Sequence, residues 1–236
     1  MRINKYLANH GVCSRREADR LIEAGSIRIN DRIAVLGDDV GEDDIVFANN
    51  APVNPETDEI YLAYHKPRGV EVTHSDDVAQ NLPRALGLHE HVFAVGRLDK
   101  DSSGLLLVTN DGDIVNKILK PIGGHEKEYL VHVRRPLTKD FLEKIAAGVP
   151  IDGRPTRAAT VERQNKNAFK IVITEGRNRQ IRKMVETLGN EVTSLKRTRV
   201  MNIKLGHLKQ GQARPLSNKE KSTLFKLLGD DTQLFK

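Results

Sequence analysis

The sequence predicts an α+β protein in which a small N-terminal module precedes a larger domain with a mixed, mainly antiparallel sheet. Within residues 1–50, apolar residues first recur at helical spacing and then alternate as in a hairpin. From residue 60 to 236, strand-like and helix-like segments follow one another without the regular βαβ rhythm of a doubly wound fold. Residues 48–59, ANNAPVNPETDE, are rich in Asn, Pro and acidic side chains without apolar periodicity, and they predict a linker at 51–59 between the two.

Two short helices open the N-terminal module. Ile3, Tyr6 and Leu7 fall on one face of the first helix, because residues three and four apart share a side of an α-helix. Ser14 is a predicted N-cap of the second helix, and Glu17, three residues later, completes a capping-box pattern. Alternating apolar residues from position 27 onward then predict the hairpin.

Three arginines, Arg15, Arg16 and Arg20, line the polar side of the second helix. Such a cluster could neutralise several phosphates along a nucleic-acid backbone. A solvated helix face explains the same charges and is the commoner meaning of a charge cluster. The net charge, 38 basic minus 32 acidic residues or +6, and the pI near 9.4 only suggest a polyanionic partner.

The larger domain contains segments of both kinds. Strands are predicted where short apolar runs alternate or are bounded by turn residues, and helices where apolar residues recur every three or four positions. The predicted strands span 60–64, 92–95, 105–109, 129–133, 169–173 and 191–195. The predicted helices span 112–119, 139–147 and 178–188.

The composition argues against several classes of protein. A single cysteine, Cys13, excludes an internal disulfide and a metal site built on cysteines. The longest apolar runs, such as 105–108, are too short to cross a bilayer, and the N-terminus has no apolar signal segment. We therefore expect a cytoplasmic protein that does not associate with membranes.

An acidic turn between two predicted strands is the strongest candidate for chemistry. It lies in GRLDKDSSGLLLVT, residues 96–109. Asp99 is flanked by Arg97 and Lys100, and nearby positive charge favours an ionised carboxylate that can act as a nucleophile or base. Asp, Ser and Gly are also ordinary turn residues, so the residues alone leave a plain surface turn open. A hydrolase that uses Asp99 together with Asp101 is a further alternative, without a second motif to support it.

The N-terminal run KYLANHGVCSRREADRLIEAGSIRINDRIAVLGDDVGEDD resembles the S4 RNA-binding domain. The resemblance covers most of residues 1–50 and implies that Ser14, Arg15, Arg16 and Arg20 face RNA. It also implies that the module docks on structured RNA mainly through shape and phosphate contacts.

The acidic turn resembles the catalytic motif shared by the RsuA and RluA groups of pseudouridine synthases, which isomerise uridine in RNA. The resemblance implies that Asp99 is the essential residue and that Asp101 is not. It leaves open whether Asp99 attacks C1′ of the ribose or removes the 2′ proton. Arg97 is expected to fill the space of a target base that is extruded from the RNA. No cofactor or metal is implied, because the isomerisation involves no redox change and no energy input.

Two further motifs resemble those of the same enzymes. The KEY tripeptide at 127–129 resembles the second motif, which implies that Tyr129 stacks on the target base and that Lys127 lies at the base pocket. GRNRQIRKM resembles the third motif. The resemblance implies that Arg182 pairs with the catalytic aspartate and that Ile181 forms an apolar wall beside the base.

Longer segments, VNKILKP, HEKEYLV, AAGVPI and LKRTRVMNIKLG, look most like the RluF-type branch of the RsuA-like family. This implies a monomeric enzyme whose substrate is ribosomal RNA, with the large subunit favoured and small-subunit RNA and tRNA left open. One departure is His65, which stands where asparagine is usual before the Lys-Pro-Arg-Gly run at 66–69. A non-catalytic S4-type RNA-binding or ribosome-assembly factor is the alternative from another class.

A positive surface is expected to join the N-terminal module to the catalytic cleft. Its predicted residues are the basic stretch 196–199 together with Arg177, Arg179 and Lys183. A charged helix face remains an equal explanation for Lys183. RNA binding through such a surface should weaken strongly with salt.

Overall fold

The computed structural model of the chain describes residues 1–53, 59–73, 78, 81–87, 92–119 and 124–229. Its helices are α1 (Ile3–Asn9), α2 (Arg15–Glu23), α3 (Leu82–Leu86), α4 (Gly112–Leu119), α5 (Lys139–Ala147), α6 (Gln180–Thr187) and α7 (Asn218–Leu227). Its strands are β1 (Ile27–Ile29), β2 (Arg32–Ile33), β3 (Val46–Ala48), β4 (Ala51–Pro52), β5 (Tyr61–Lys66), β6 (Phe93–Val95), β7 (Ser103–Thr109), β8 (Lys127–Val133), β9 (Pro150–Ile151), β10 (Arg154–Pro155), β11 (Thr160–Asn165), β12 (Ala168–Ile173), β13 (Val192–Val200), β14 (Ile203–Lys204) and β15 (Ala213–Pro215). The predicted α+β class is confirmed.

The N-terminal module packs α1 and α2 against a four-stranded antiparallel sheet with the order β2-β1-β3-β4. Ile3 and Leu7 of α1 and Ile22 of α2 are buried with Ile27 and Ile29 of β1 in one apolar cluster. The helical spacing seen in the sequence therefore marks the face that packs on the sheet.

The N-cap predicted for α2 is confirmed, because Oγ of Ser14 accepts a hydrogen bond from the Glu17 N–H at 3.2 Å. The capping box is only half formed. The Glu17 carboxylate pairs with Arg20 at 3.0 Å instead of accepting from the Ser14 N–H. Gly25 follows the helix with a φ of 71°, a left-handed conformation that a residue without Cβ adopts freely.

The N-terminal sheet extends further along the chain than the sequence indicated. Asn49 and Asn50 have φ angles of 49° and 65°, and together they form a tight turn between β3 and β4. Val53 is buried in the cluster of the N-terminal module. The prediction of a linker starting at residue 51 is therefore wrong for 51–53, because an Asn-Asn pair serves as a hairpin turn. The rest of the predicted linker up to residue 58 lies outside the described residues.

The main sheet has the order β11-β12-β8-β13-β7-β5-β15, with β14 paired to β13 and β6 paired to β7. Neighbouring strands are antiparallel except β13 and β7, which run parallel. The predicted mixed, mainly antiparallel sheet is therefore confirmed. Strand β7 lies inside the sheet and is buried along its whole length, which explains its unbroken apolar run.

Helices cover both faces of the main sheet. Ile145 of α5 and Ile181 of α6 belong to one buried cluster, whereas Ile118 of α4 and Leu224 of α7 belong to another. Residues of β7 contribute alternately to the two clusters, because successive side chains of a strand point to opposite faces. None of the helices in the described ranges is long and apolar enough to cross a membrane.

Predicted and observed elements agree closely in the middle of the domain. Helices α4 and α5 have the predicted bounds, 112–119 and 139–147. Helix α6 begins at Gln180 rather than at 178, because Arg179 has a φ of 51° and lies outside the right-handed helical region. Strand β13 continues past its predicted end at 195 and reaches Val200.

An ion pair joins the N-terminal module to the main domain. Nζ of Lys5, in α1, lies 2.6 Å from Oδ1 of Asp113 in the first turn of α4. The two side chains are 31% and 49% exposed, and pairs that solvent reaches in this way contribute about 0–1 kcal/mol. The pair therefore adds little to the stability of the contact between the two units.

Candidate active site

The acidic turn lies where β6 leads into β7. Asp99 is half-buried, and its carbonyl accepts a hydrogen bond from the Ser102 N–H at 3.0 Å. The turn is tied to the segment after β5, because the Lys100 carbonyl accepts from the Gly69 N–H at 2.7 Å. The carboxylate therefore stands on a loop that lies between β6 and β7 and is tied to the segment after β5.

Two arginines at the start of α6 face this loop. Nη1 of Arg179 lies 3.8 Å from Oδ2 of Asp99 and 3.4 Å from Oδ1 of Asp101. Nη2 of Arg182 lies 3.2 Å from Oδ2 of Asp101, while its Nε is 4.0 Å from Oδ2 of Asp99. The structure thus brings Arg182 to both acids and places it nearer Asp101 than Asp99.

Arg182 also holds the backbone of the acidic turn. Its Nη2 donates to the Asp101 carbonyl at 3.2 Å and to Oγ of Ser102 at 3.3 Å. Burial lowers the pKa of Arg182, and the charges of Asp101 and Asp99 oppose that shift. Its Nε is buried and has no hydrogen-bond partner in the part of the chain that the structure describes. An approach of about 1 Å would bring Asp99 within hydrogen-bond distance of that N–H.

Arg179 reaches the acids from a strained backbone position. It stands just before α6 with a φ of 51°, which a residue with a Cβ adopts at a cost of about 1–3 kcal/mol. The next side chain, Gln180, is buried; it accepts from the Arg177 N–H at 3.0 Å and donates to Oε1 of Glu175 at 2.8 Å. These bonds hold the chain in the turn that points Arg179 at the loop.

Tyr129 and Ile181 lie together in the buried cluster that also contains Leu98, the neighbour of Asp99. Tyr129 is 8% exposed, and its hydroxyl has no hydrogen-bond partner in the described part of the chain. Lys127 precedes it by two residues on the same face of β8. Burial and the charge of Arg197 lower the pKa of Lys127, whose Nζ donates to the His125 carbonyl at 3.2 Å.

Lys66 is a buried cation that the sequence did not predict as a site residue. It ends β5 with no exposed surface, and its Nζ donates to the carbonyls of Pro67 at 2.9 Å and Val70 at 2.7 Å. Burial lowers its pKa to about 8, while Asp101 and Asp99 oppose that shift. The Lys-Pro-Arg-Gly run was the sequence signal that could have identified Lys66. Its side chain donates to the backbone of the loop that contacts the acidic turn.

His65, the departure from the usual pattern, is buried beside Lys66 at the edge of the main sheet. Its Nδ1 donates to the Leu208 carbonyl at 2.7 Å, and its backbone pairs with residues before β15. These hydrogen bonds join His65 to the segment before β15 and not to the acidic turn. The histidine therefore stabilises the edge of the sheet, where β5 pairs with β15.

The predicted positive surface needs one correction. Arg197 is only 2% exposed, because its strand lies inside the main sheet, so it is not a surface cation. Arg177 donates to the carbonyls of Arg154 and Pro155, at 3.0 and 2.6 Å. Lys183 pairs with Asp152 at 2.6 Å. Both residues thus hold the β9–β10 hairpin against α6.

The remaining predicted residues are exposed to solvent or form hydrogen bonds within their own module. Arg97 is exposed, and within the described ranges it has neither an ion pair nor a hydrogen bond. Arg16 is exposed on α2, while Nη2 of Arg15 donates weakly to Oδ1 of Asn4 at 3.4 Å. The Ser14 hydroxyl caps its own helix. The structure does not bring these residues of the N-terminal module into contact with the acidic turn.

The charged groups at the acidic turn are two carboxylates and the cations around them. Across the described residues, no set of three or more His, Cys, Asp or Glu side chains is close enough together to hold a metal ion. A site of this composition can orient an ionised carboxylate and stabilise negative charge.

Comparison with known proteins identifies the class to which this fold and site belong. Residues 60–187 match the family model described as RNA pseudouridylate synthase, and residues 1–46 match the S4 domain. The chain belongs to the RNA pseudouridylate synthase family and carries an S4 domain at its N-terminal side.

Individual relatives agree with this assignment. The chain is 45% identical over 229 residues to the dual-specificity RNA pseudouridine synthase RluF of Salmonella typhi, covering 96% of this chain and 79% of that protein. It is 34% identical over 228 residues to ribosomal large subunit pseudouridine synthase B of Bacillus subtilis (strain 168), covering 93% of each. A crystal structure of a pseudouridylate synthase superposes with a TM-score of 0.68 at 27% identity, covering 96% of this chain and 99% of that one.

Proposed function

We propose that the chain converts a specific uridine of large-subunit ribosomal RNA to pseudouridine, with Asp99 as the essential carboxylate. The observation that carries this proposal is the convergence of Arg179 and Arg182 on the loop of Asp99 and Asp101, beside the cluster that contains Tyr129. The RNA target is supported by the relatives: one is named for the ribosomal large subunit and another is a dual-specificity RNA enzyme.

The proposed roles follow from the positions of the side chains. Asp99 attacks C1′ or removes the 2′ proton, and Arg182 orients it through a charge-assisted contact that shortens when substrate binds. Tyr129 stacks on the extruded uracil, and Ile181 forms the apolar wall beside it. Arg97 fills the space that the base leaves in the RNA.

RNA would be held outside the pocket by positive charge. The N-terminal module, proposed to extend to residue 53, supplies exposed arginines, and the catalytic domain from residue 60 onward adds Arg179. The proposed RNA-binding residues are Ser14, Arg15, Arg16, Arg20 and Arg179, with Lys127 at the rim of the base pocket. The enzyme is proposed to act as a monomer.

Two neighbouring carboxylates allow a matched test of the catalytic assignment. Asp99→Asn should abolish uridine conversion and leave RNA affinity nearly unchanged, because the amide keeps the shape but can neither attack nor accept a proton. Asp101→Asn should only slow conversion, since Asp101 holds Arg182 rather than the substrate. An active Asp99→Asn variant would refute the assignment, and a dead Asp101→Asn beside it would transfer the role to Asp101.

The target is tested by chemical mapping of pseudouridine in RNA from cells with and without the gene. We expect one or a few positions of large-subunit ribosomal RNA to lose the modification in its absence. Loss confined to small-subunit RNA or to tRNA would refute the proposed target. A map without any missing position would instead favour a non-catalytic role in RNA binding or ribosome assembly.

A further inference from the structure

Arg197 is a charged side chain placed inside the main sheet. It is 2% exposed, on a strand between β8 and β7. Its Nε donates to the Leu105 carbonyl at 2.7 Å, and its Nη2 is buried without a hydrogen-bond partner among the described residues. No carboxylate of the described residues forms an ion pair with it. A buried, unpaired guanidinium is costly, and an apolar side chain of similar size would avoid that cost.

The backbone of Arg197 fits tightly against the strand that follows the acidic turn. Arg197 lies opposite Gly104 in the parallel pairing of β13 with β7. A Cβ on Gly104 would lie 2.2 Å from the Arg197 carbonyl oxygen, so only glycine permits this approach. Together with the bond to Leu105, this close approach fixes the first residues of β7, immediately after the loop that carries Asp99.

On its other side Arg197 faces the strand of the base-stacking residue. In the antiparallel pairing of β13 with β8, Arg197 lies opposite Tyr129. The one residue thus links the loop of Asp99 to the strand of Tyr129. A shift of Arg197 would change the position of one of these side chains relative to the other.

The charge of Arg197 also acts on the groups around the acidic turn. Burial is the main cause of the lowered pKa of Lys127 and of Lys66, and the charge of Arg197 lowers both pKa values further. The positive charge therefore lies close enough to act on two lysines of the site. A fixed charge in a water-poor interior acts more strongly than the same charge in water.

We propose that Arg197 is a positioning residue of the synthase site: it holds the Asp99 loop in register with Tyr129 and supplies a fixed positive charge on the face of the sheet that carries Tyr129. The proposal rests on the proposed roles of Asp99 and Tyr129. When the N1–C1′ bond breaks, its electron pair leaves with the uracil, and an electron pair of that anion later forms the C5–C1′ bond. The proton lost from C5 is balanced by one gained at N1. Arg197 stabilises the negative charge between these two steps without touching the base.

Three substitutions separate charge from packing. Arg197→Lys keeps the charge, Arg197→Gln keeps a donor for Leu105 without the charge, and Arg197→Met keeps only the length. Single-turnover conversion at saturating enzyme reports the chemical step, and the dissociation constant for the RNA reports binding. Arg214→Met, which removes an ion-paired arginine next to β5, controls for a general loss of stability.

We expect Arg197→Gln and Arg197→Met to slow single-turnover conversion by about 100-fold or more, with RNA affinity changed less than about threefold. Arg197→Lys should recover the rate to within about tenfold of wild type, whereas Arg214→Met should keep the wild-type rate in the folded protein. If Arg197→Met does not fold, the comparison of lysine with glutamine decides the question.

Two results would overturn the proposal. One is a glutamine variant as fast as wild type. The other is equal slowing by lysine and glutamine, which would indicate packing alone. The Arg197 variants are each compared with wild type, so their result does not depend on Asp99→Asn. An active Asp99→Asn variant would overturn the role of Asp99 by itself.

Discussion

Replacing Gly104 by alanine is the sharpest test of how β7 and β13 support the site. Gly104 has a φ of 111° where it passes Arg197. The added Cβ would lie 2.2 Å from the Arg197 carbonyl oxygen and 2.5 Å from its backbone nitrogen. Backbone atoms cannot rotate away as a flexible side chain can, so the two strands must separate.

The expected loss of stability has two parts. Placing alanine at this positive φ costs about 1–3 kcal/mol, and relieving the overlap costs about 1–3 kcal/mol more. The sum, about 2–6 kcal/mol, is a large fraction of the 5–15 kcal/mol or so that typically separates folded from unfolded domains. Because β7 begins just after the Asp99 loop, the folded fraction should also convert uridine more slowly.

Urea unfolding followed by circular dichroism measures the loss, with Gly153→Ala as the matched control. Gly153 has a φ of 75°, but a Cβ there would have no atom of the described residues within 4 Å other than those of its chain neighbours. The control therefore carries strain from a positive φ without the overlap, and the difference between the two variants reports the overlap with Arg197 together with the extra strain of the larger φ. Equal unfolding midpoints and slopes for the two variants would refute the reasoning.

Three further predictions concern pH and salt. The hydrogen bond from Arg214 lowers the pKa of Glu220 to about 2 from 4.5. Wild type should therefore be more stable than Glu220→Gln above pH 4.5 and should lose that advantage as the pH falls towards 2. Urea unfolding at several pH values measures the difference in stability between the two proteins. Burial lowers the pKa of Lys66 to about 8 from 10.5. The stability of wild type relative to Lys66→Met should therefore rise between pH 8 and 10.5. A stability difference that stays constant over this pH range would contradict the prediction. Replacing the three arginines of α2 by glutamine should reduce the slope of log affinity against log salt, measured by RNA titration, by about 0.7–0.9 for each phosphate that these side chains neutralise.

The sequence predicted the elements that depend on local pattern and the residues that share a motif. Helices α4 and α5 have the expected bounds because their apolar spacing is regular. Arg182 was expected near Asp99 and does approach it, although the two residues lie far apart in the chain. Their roles in catalysis stay predictions.

The features that the sequence did not predict depend on long-range pairing. Arg197 was expected on the surface, since nothing local shows that its strand lies between two others. Lys66 is buried because β5 is covered on both sides, which the order of residues alone does not reveal. The nearer approach of Arg182 to Asp101 than to Asp99 depends on differences of less than an ångström, 3.2 against 4.0 Å, that no motif encodes.

The positive φ of Arg179 has a consequence for evolution and for engineering. Glycine would relax this position, and asparagine would tolerate it better than arginine does. A selection for heat resistance alone should therefore enrich such replacements at 179, and the same variants should lose the cation that faces the acidic loop. The role proposed for Arg179 therefore predicts that stability and activity favour different residues at this position.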